Sequence, residues 1–213
     1  MADSGYPTGP PDDAAQARRA AGTATVGQAP AAGRRDHIDP DTFRDVMGRF
    51  VSGVTVVTTS ADGQVSAATV SALTSVSLAP PMLLICLNRS STTQDAIARS
   101  GRFAVNILAQ HQHQLARWFA TKETSKLDPV VTATGPGELP IIREAVAYLE
   151  CAVCDTFRGG THTIFLAKVL SGWPGRGQPL VYYRGTLGSF ADIGDRALAR
   201  PCPDTRDPKG RAS

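Results

Sequence analysis

"VTVVTTSADGQVSAATVSAL", residues 54–73, holds two β-prone segments on either side of a turn. Val54 to Ser60 is β-branched almost throughout, Ala61-Asp62-Gly63 is a turn signal, and alternation resumes from Gln64, so the stretch reads as an antiparallel hairpin. Its second arm departs from ordinary strand composition, because from Ser66 to Ala72 most side chains are small or hydroxylic. In an extended strand Ser66, Ala68, Val70 and Ala72 share one face and Ala67, Thr69, Ser71 and Leu73 the other, which leaves one face nearly flat. A flat face admits close approach. The visitor is either a neighbouring helix or strand, or a planar ring whose polar edges meet the Thr69 and Ser71 hydroxyls and the backbone amides.

Working outward, "DPDTFRDVMGRFVSG" (39–53) predicts a short helix. Asp39 suits the N-cap, Pro40 the first helical position and Gly53 the stop, while Phe43, Val46, Met47 and Phe50 recur on one face that should lie on something apolar. On the other side, "MLLICL" (82–87) is a buried strand after Pro80-Pro81. "SSTTQDAIARSG" (90–101) predicts a helix with a Ser91–Gln94 capping box and Gly101 at its end. "RFAVNIL" (102–108) is a strand and "QHQHQLARWFAT" (110–121) a second short helix. After a Gly/Pro-containing loop come three strand-like runs, "VAYLECAVCDTF" (146–157), "THTIFLAKVLSGW" (161–173) and "PLVYYRGTLGSF" (179–190). Hairpin spacing without βαβ alternation predicts a mostly β fold with short helices, an antiparallel barrel or sandwich. No G-x-G-x-x-G follows a strand, so any dinucleotide binds outside the Rossmann pattern.

The chain has 213 residues and a net charge of +3. We expect a disordered leader (1–36), one ordered domain (37–192) and a flexible tail (193–213) carrying Pro201, Pro203 and Pro208. Arginines near the ends supply much of the excess charge, and the strands do not interleave aromatic with basic residues, which argues against nucleic acid. The longest apolar run, Met82 to Leu87, falls far short of the ~20 residues of a spanning helix, and the N-terminus has no signal-peptide core. A soluble cytoplasmic protein without membrane contact is expected. The four cysteines do not resemble a disulfide framework.

Two stretches besides the flat arm suggest chemistry. "NRSSTTQ" (88–94) follows a buried strand and opens a helix, where unpaired N–H groups, the hydroxyls of Ser90, Ser91, Thr92 and Thr93, and Arg89 suit a phosphate; plain N-capping needs only one hydroxyl. Joined to the flat arm by strand 82–87, it suggests a phosphorylated planar cofactor. His162, after a glycine pair at the start of a strand, is either a rim imidazole in a site or a hydrogen-bonded rim residue. "CAVC" (151–154) places its cysteines on opposite faces of a strand, so no metal is expected there, and His111 and His113 read as surface residues.

Taken together, "FRDVMGRFVSGVTVVTT", "TVSALTSVSLAPPMLLICLNRSSTT", "SGRFAVNIL", "LARWFA", "GGTHTIFLAKV" and "PLVYYRG" resemble the flavin reductase family, from about Thr42 to Phe190. The resemblance implies an FMN-binding split β-barrel of Greek-key antiparallel type. It also implies an NAD(P)H:flavin oxidoreductase that passes hydride from NADH or NADPH to FMN or FAD and supplies a separate flavin-dependent monooxygenase with diffusible reduced flavin. In that family the strand matching Ala67, Ala68, Thr69, Ser71 and Ala72 cradles the isoalloxazine. Cys86, Leu87, Asn88, Ser91, Thr92 and Thr93 match the phosphate-holding end, and Trp118 and Phe119 the pair that closes over the nucleotide. Gly160, Thr161 and His162 stand where the family usually has Gly-Asp-His on the nicotinamide side, with His162 orienting the pyridine nucleotide. This chain departs from the pattern at Thr161, at Ser71 where Asn is usual, and at Trp118 where Arg is common. A homodimer is implied as well, helix 41–52 being a candidate contact. A non-reductase flavin-binding protein and a pyridoxamine-phosphate-oxidase-like flavin oxidase share the architecture and stay open.

Overall fold

The computed structural model describes residues 37–121 and 132–191. The expected leader and tail therefore lie outside the described residues. A boundary between Asp39 and Pro40 separates two units, and the second carries every element below. In chain order these are α1 (Pro40–Gly48), β1 (Ser52–Gly53), β2 (Thr55–Ala61), β3 (Gln64–Val70), β4 (Leu73–Leu78), β5 (Pro81–Asn88), α2 (Thr92–Ser100), β6 (Arg102–Ile107), α3 (His113–Trp118), β7 (Thr132–Thr134), β8 (Pro140–Ile142), β9 (Ala147–Gly159), β10 (His162–Pro174), β11 (Leu180–Tyr183) and β12 (Thr186–Ser189).

Seven strands form one antiparallel sheet in the order β3-β2-β6-β9-β10-β5-β4. The hairpin that decides the fold is present as read: Ala61 faces Gln64 across Asp62 and Gly63, whose φ of 53° and 72° match the type I′ turn that an Asp-Gly pair favours. Strands β3 and β4 are consecutive in sequence yet occupy opposite edges of this sheet, so it must curl until Ser71-Ala72 spans the gap. Cys86 on β5 donates its amide to the Ala72 carbonyl at 3.0 Å across that gap. No ladder joins β3 to β4 or β5, and the curled sheet is split along this line.

Alternation along the strands divides the buried side chains between two cores. Val57, Val70, Ile85, Phe103, Val105 and Phe165 fill one, against which Ala68 packs, while the neighbours Val56 and Ala67 turn to the other with Leu108, Ala116, Phe119 and Leu180. Asn106, fully buried in β6, donates to the Val56 carbonyl at 2.9 Å and to Thr58 Oγ1 at 3.2 Å and accepts from the Ile142 amide at 2.7 Å, fixing β8 against the sheet.

Helix α1 ends at Gly48 rather than Gly53, because Ser52 and Gly53 pair with β11 as a short strand. Its apolar face does not lie on a core: Phe43, Val46 and Met47 are half exposed or more, and no residue of α1 is buried. Helix α2 ends as predicted, with Gly101 at φ 66° donating to the Ile97 carbonyl. The Ser91–Gln94 capping box does not form, since Ser91 makes no side-chain cap bond. "PLVYYRGTLGSF" is a hairpin rather than one strand, turning at Arg184 and Gly185, both at positive φ.

Within "CAVC", Cys151 is buried, while Cys154, left unpaired at an irregularity opposite Leu166 and Ala167, is exposed. Burial, with the Glu150 carboxylate beside it, pushes the Cys151 thiol up to about 12 from 9.0. An unfolded chain ionises this thiol above pH 9 while the folded one does not, so its contribution to stability is complete below pH 9 and is lost as pH rises toward 12. Urea unfolding at pH values of about 8 and 10 should show a fall of roughly 1.4 kcal/mol from this group, and Cys151→Ala should remove that part of the slope.

Candidate functional site

The split between the β3 edge and β5 opens into a cavity of about 820 Å³. Its floor is the bulk-free arm: Ala67, Ala68, Thr69, Ser71 and Ala72 all line it, with Cys86, Leu87 and Asn88 from β5, Ser91, Thr92 and Thr93 from the start of α2, Phe119, and His162 at the start of β10. Thus thirteen of the sixteen residues matched to the family's site share one wall, with Ser90 beside them. Three do not. Trp118 is 64% exposed, and neither it nor Gly160 or Thr161 lines the cavity.

The wall also contains side chains the sequence gave no reason to choose, among them Arg117, Ala120 and Thr121 after α3, and Tyr182, Gly185 and Leu187 from the β11–β12 hairpin. Arg117 lies inside the "LARWFA" motif, which could have drawn attention to it. Tyr182 and Leu187 reach the site only through the hairpin's long-range placement.

Each part of the wall is held by bonds made elsewhere. The Thr69 hydroxyl donates to the Ala116 carbonyl at 2.7 Å and the Thr69 amide to the Phe119 carbonyl at 3.0 Å, so this edge of β3 carries α3 in place of another strand. That hydroxyl proton is spent on the protein and is not offered to a ring edge. The Asn88 carboxamide oxygen accepts the Ser90 amide at 2.9 Å and the Ser90 hydroxyl at 3.0 Å, an Asx turn that aims the chain into α2. Ser91 leaves the first turn of α2 without a side-chain cap, and Ser91, Thr92 and Thr93 line the cavity at the helix's positive end, where the leading amides have no intrahelical acceptor. The Cys86 thiol is pushed up by burial and contributes a neutral, soft surface.

Opposite this cradle, β9 and β10 turn through Gly160 and Thr161, with His162 facing Gly159. Gly160 has φ 60° and Thr161 is not at positive φ, the pattern of a type II′ turn that wants glycine first. Gly160 is thus required by the turn. His162 also pairs with Asn88, and the Arg89 amide donates to the Thr161 carbonyl at 3.0 Å, which ties the two rims together.

The arrangement suits a flat heteroaromatic group carrying a phosphate. The volume is in the ordinary range for such ligands, the shelf has no bulk, and the donors cluster at one end. Among the described residues no group of three His, Cys, Asp or Glu side chains could hold a metal ion, and no helix is long and apolar enough to cross a membrane.

Residues 47–191 match the family model for the flavin reductase like domain. The chain is 46% identical over 154 residues to the reductase component of the 4-nitrophenol 4-monooxygenase/4-nitrocatechol 2-monooxygenase of Rhodococcus opacus, covering 72% of this chain and 82% of that one. It is 36% identical over 161 residues to a flavin reductase of Pseudomonas putida, covering 75% and 95%. Among solved structures, the NADH:FAD oxidoreductase of Streptomyces globisporus C-1027 in complex with NAD and FAD fragments superposes with a TM-score of 0.70 at 34% identity, over 76% of this chain and 100% of that one. The fold is accordingly a split β-barrel, mostly β with short helices. With the cavity in the split and the match running across almost all described strands, the chain belongs to the flavin reductase like domain family.

Proposed function

We propose that this protein is an NAD(P)H:flavin oxidoreductase that reduces FMN or FAD and releases the reduced flavin to a separate flavin-dependent monooxygenase. The observation that carries the reading is the cavity in the barrel's split, where a shelf without bulk, an uncapped helix start and an imidazole converge on one space. A flavin bound there supplies a hydride-accepting ring, and a nicotinamide nucleotide supplies the hydride. The protein's own contribution is positional. In this reading Ala68, Ser71 and Ala72 support the ring, Ser91, Thr92 and Thr93 hold the phosphate, Phe119 backs the shelf, and His162 orients the pyridine nucleotide.

Purified protein should oxidise NADH or NADPH in the presence of FMN, FAD or riboflavin, followed as loss of nicotinamide absorbance. Turnover with at least one nucleotide and flavin pair is expected; binding of flavin without oxidation of either nucleotide would mark a carrier instead. His162→Ala should raise KM for NADH by roughly tenfold while changing flavin affinity less than about twofold, the loss of one or two hydrogen bonds to the nucleotide. Flavin affinity falling while KM holds would reject the role.

A homodimer and a cytoplasmic location belong to the same reading. The half-exposed Phe43, Val46, Met47, Phe50 and Val51 offer an apolar contact of the kind that closes between two copies, and reduced nicotinamide nucleotide is an intracellular reductant.

A further inference from the structure

We infer that Thr161 is a positioning residue for His162: its hydroxyl donates to Nδ1 and thereby sets the tautomer in which Nε2 carries the proton. The inference rests on the proposed role of His162 toward the pyridine nucleotide and assigns the side chain that makes that role possible in this chain.

Thr161 Oγ1 and His162 Nδ1 are 3.0 Å apart. Thr161 does not line the cavity while His162 does, so this hydroxyl acts through the imidazole and does not itself meet a ligand. It is also anchored. The Thr161 carbonyl is held at 3.0 Å by the Arg89 amide, the type II′ turn fixes the backbone on one side, and the β10 ladder begins on the other with His162 opposite Gly159 and Asn88. The backbone that carries the threonine hydroxyl is therefore held in place beside the ring. A hydroxyl hydrogen rotates to suit its acceptor, and an imidazole nitrogen that accepts leaves its partner nitrogen protonated. With Nδ1 occupied by Thr161, Nε2–H is the group left for the cavity. A pyridine nucleotide presents phosphate, ribose and carboxamide oxygens, which require a donor there. A side chain without a hydroxyl at 161 would leave the ring free to rotate and to exchange tautomers.

The test uses full-length protein labelled with ¹⁵N and reads the imidazole nitrogens by long-range proton–nitrogen correlation at alkaline pH. His162→Gln assigns the His162 signal among the four histidines. The wild type should show Nε2–H with Nδ1 unprotonated. Thr161→Val, nearly the same shape, should move the signal toward a mixture of tautomers and raise KM for NADH by roughly fivefold, with a smaller change in kcat. Thr161→Ser should restore both. A wild-type Nδ1–H tautomer, or a Thr161→Val protein with the wild-type tautomer, overturns the inference. So does an unchanged KM in Thr161→Val where His162→Ala raises it. If His162→Ala itself leaves KM unchanged, the underlying role of His162 has failed, which the kinetics of that variant report separately from the tautomer signal.

Discussion

Ser91→Asp is expected to weaken FMN binding by about a hundredfold and to leave riboflavin binding within about threefold, with no loss of melting temperature. The substitution sets two electrostatic effects against each other. For the helix, a carboxylate at the N-cap is favourable: aspartate is among the best capping residues, and the serine it replaces makes no cap bond to lose. For a phosphate in the same cradle it is unfavourable. Two like unit charges ~6 Å apart at an effective dielectric constant of ~20 repel by about 3 kcal/mol, close to a hundredfold in dissociation constant. Fluorescence titration with FMN and riboflavin, beside a thermal melt, separates the outcomes. Equal losses for the two flavins would show that the start of α2 does not hold the phosphate, and a lowered melting temperature would show that Ser91 supports the helix.

Glu150→Ala should have the largest effect on stability while leaving the site intact. Glu150 is 1% exposed, and its carboxylate accepts the Gly137 amide at 2.9 Å and the Ser171 hydroxyl. Two glycines make room for it. A Cβ on Gly135 would stand 2.4 Å from Glu150 Oε1, and one on Gly137 2.6 Å from Arg102 Nη2. Removing the carboxylate takes the acceptor from two part-buried donors and opens a void, together roughly 3–5 kcal/mol, against a total stability of about 5–15 kcal/mol for a natural domain. The midpoint in a thermal scan should drop by about 8–15 °C. Glu150→Gln keeps an acceptor and most of the volume and should cost about a third as much. Ser171 stands nine residues along β10 from His162, about 30 Å at the rise of a strand, so the folded variant should keep the wild-type KM for NADH. A change in KM well below the melting midpoint would mean the two ends of β10 are coupled.

How far the sequence could be read depends on how local each determinant is. The β2–β3 hairpin was legible because Asp62-Gly63 and its flanking alternation are contiguous, and α2 because Gly101 marks its end. The cavity was legible in outline, since the small residues from Ala67 to Ala72 and the hydroxyl run from Ser90 to Thr93 are connected by a single strand. What escaped was set at a distance. Nothing near Thr69 announces that its hydroxyl is claimed by Ala116, 47 residues on. Continuous β propensity through Tyr182 and Tyr183 conceals a turn in which Arg184 takes φ 49°. Tyr182 and Leu187 therefore join the wall by tertiary placement alone. Ser91 and Gln94 have capping-box spacing, but spacing does not fix where a hydroxyl points, and here Ser91 makes no cap bond. Helix α1 has the periodicity of a packed helix with no core beneath it in the chain, a pattern that periodicity cannot distinguish from burial.

Every role assigned to these residues requires that the flavin lie in the split between β3 and β5. A crystal structure of the protein with FMN tests this most directly. It should place the ring against Ala68, Ser71 and Ala72 and the phosphate at the first turn of α2, within reach of Ser91 and Thr92. Flavin bound elsewhere, or a β3 edge closed onto β5 with no room for a ring, would contradict it.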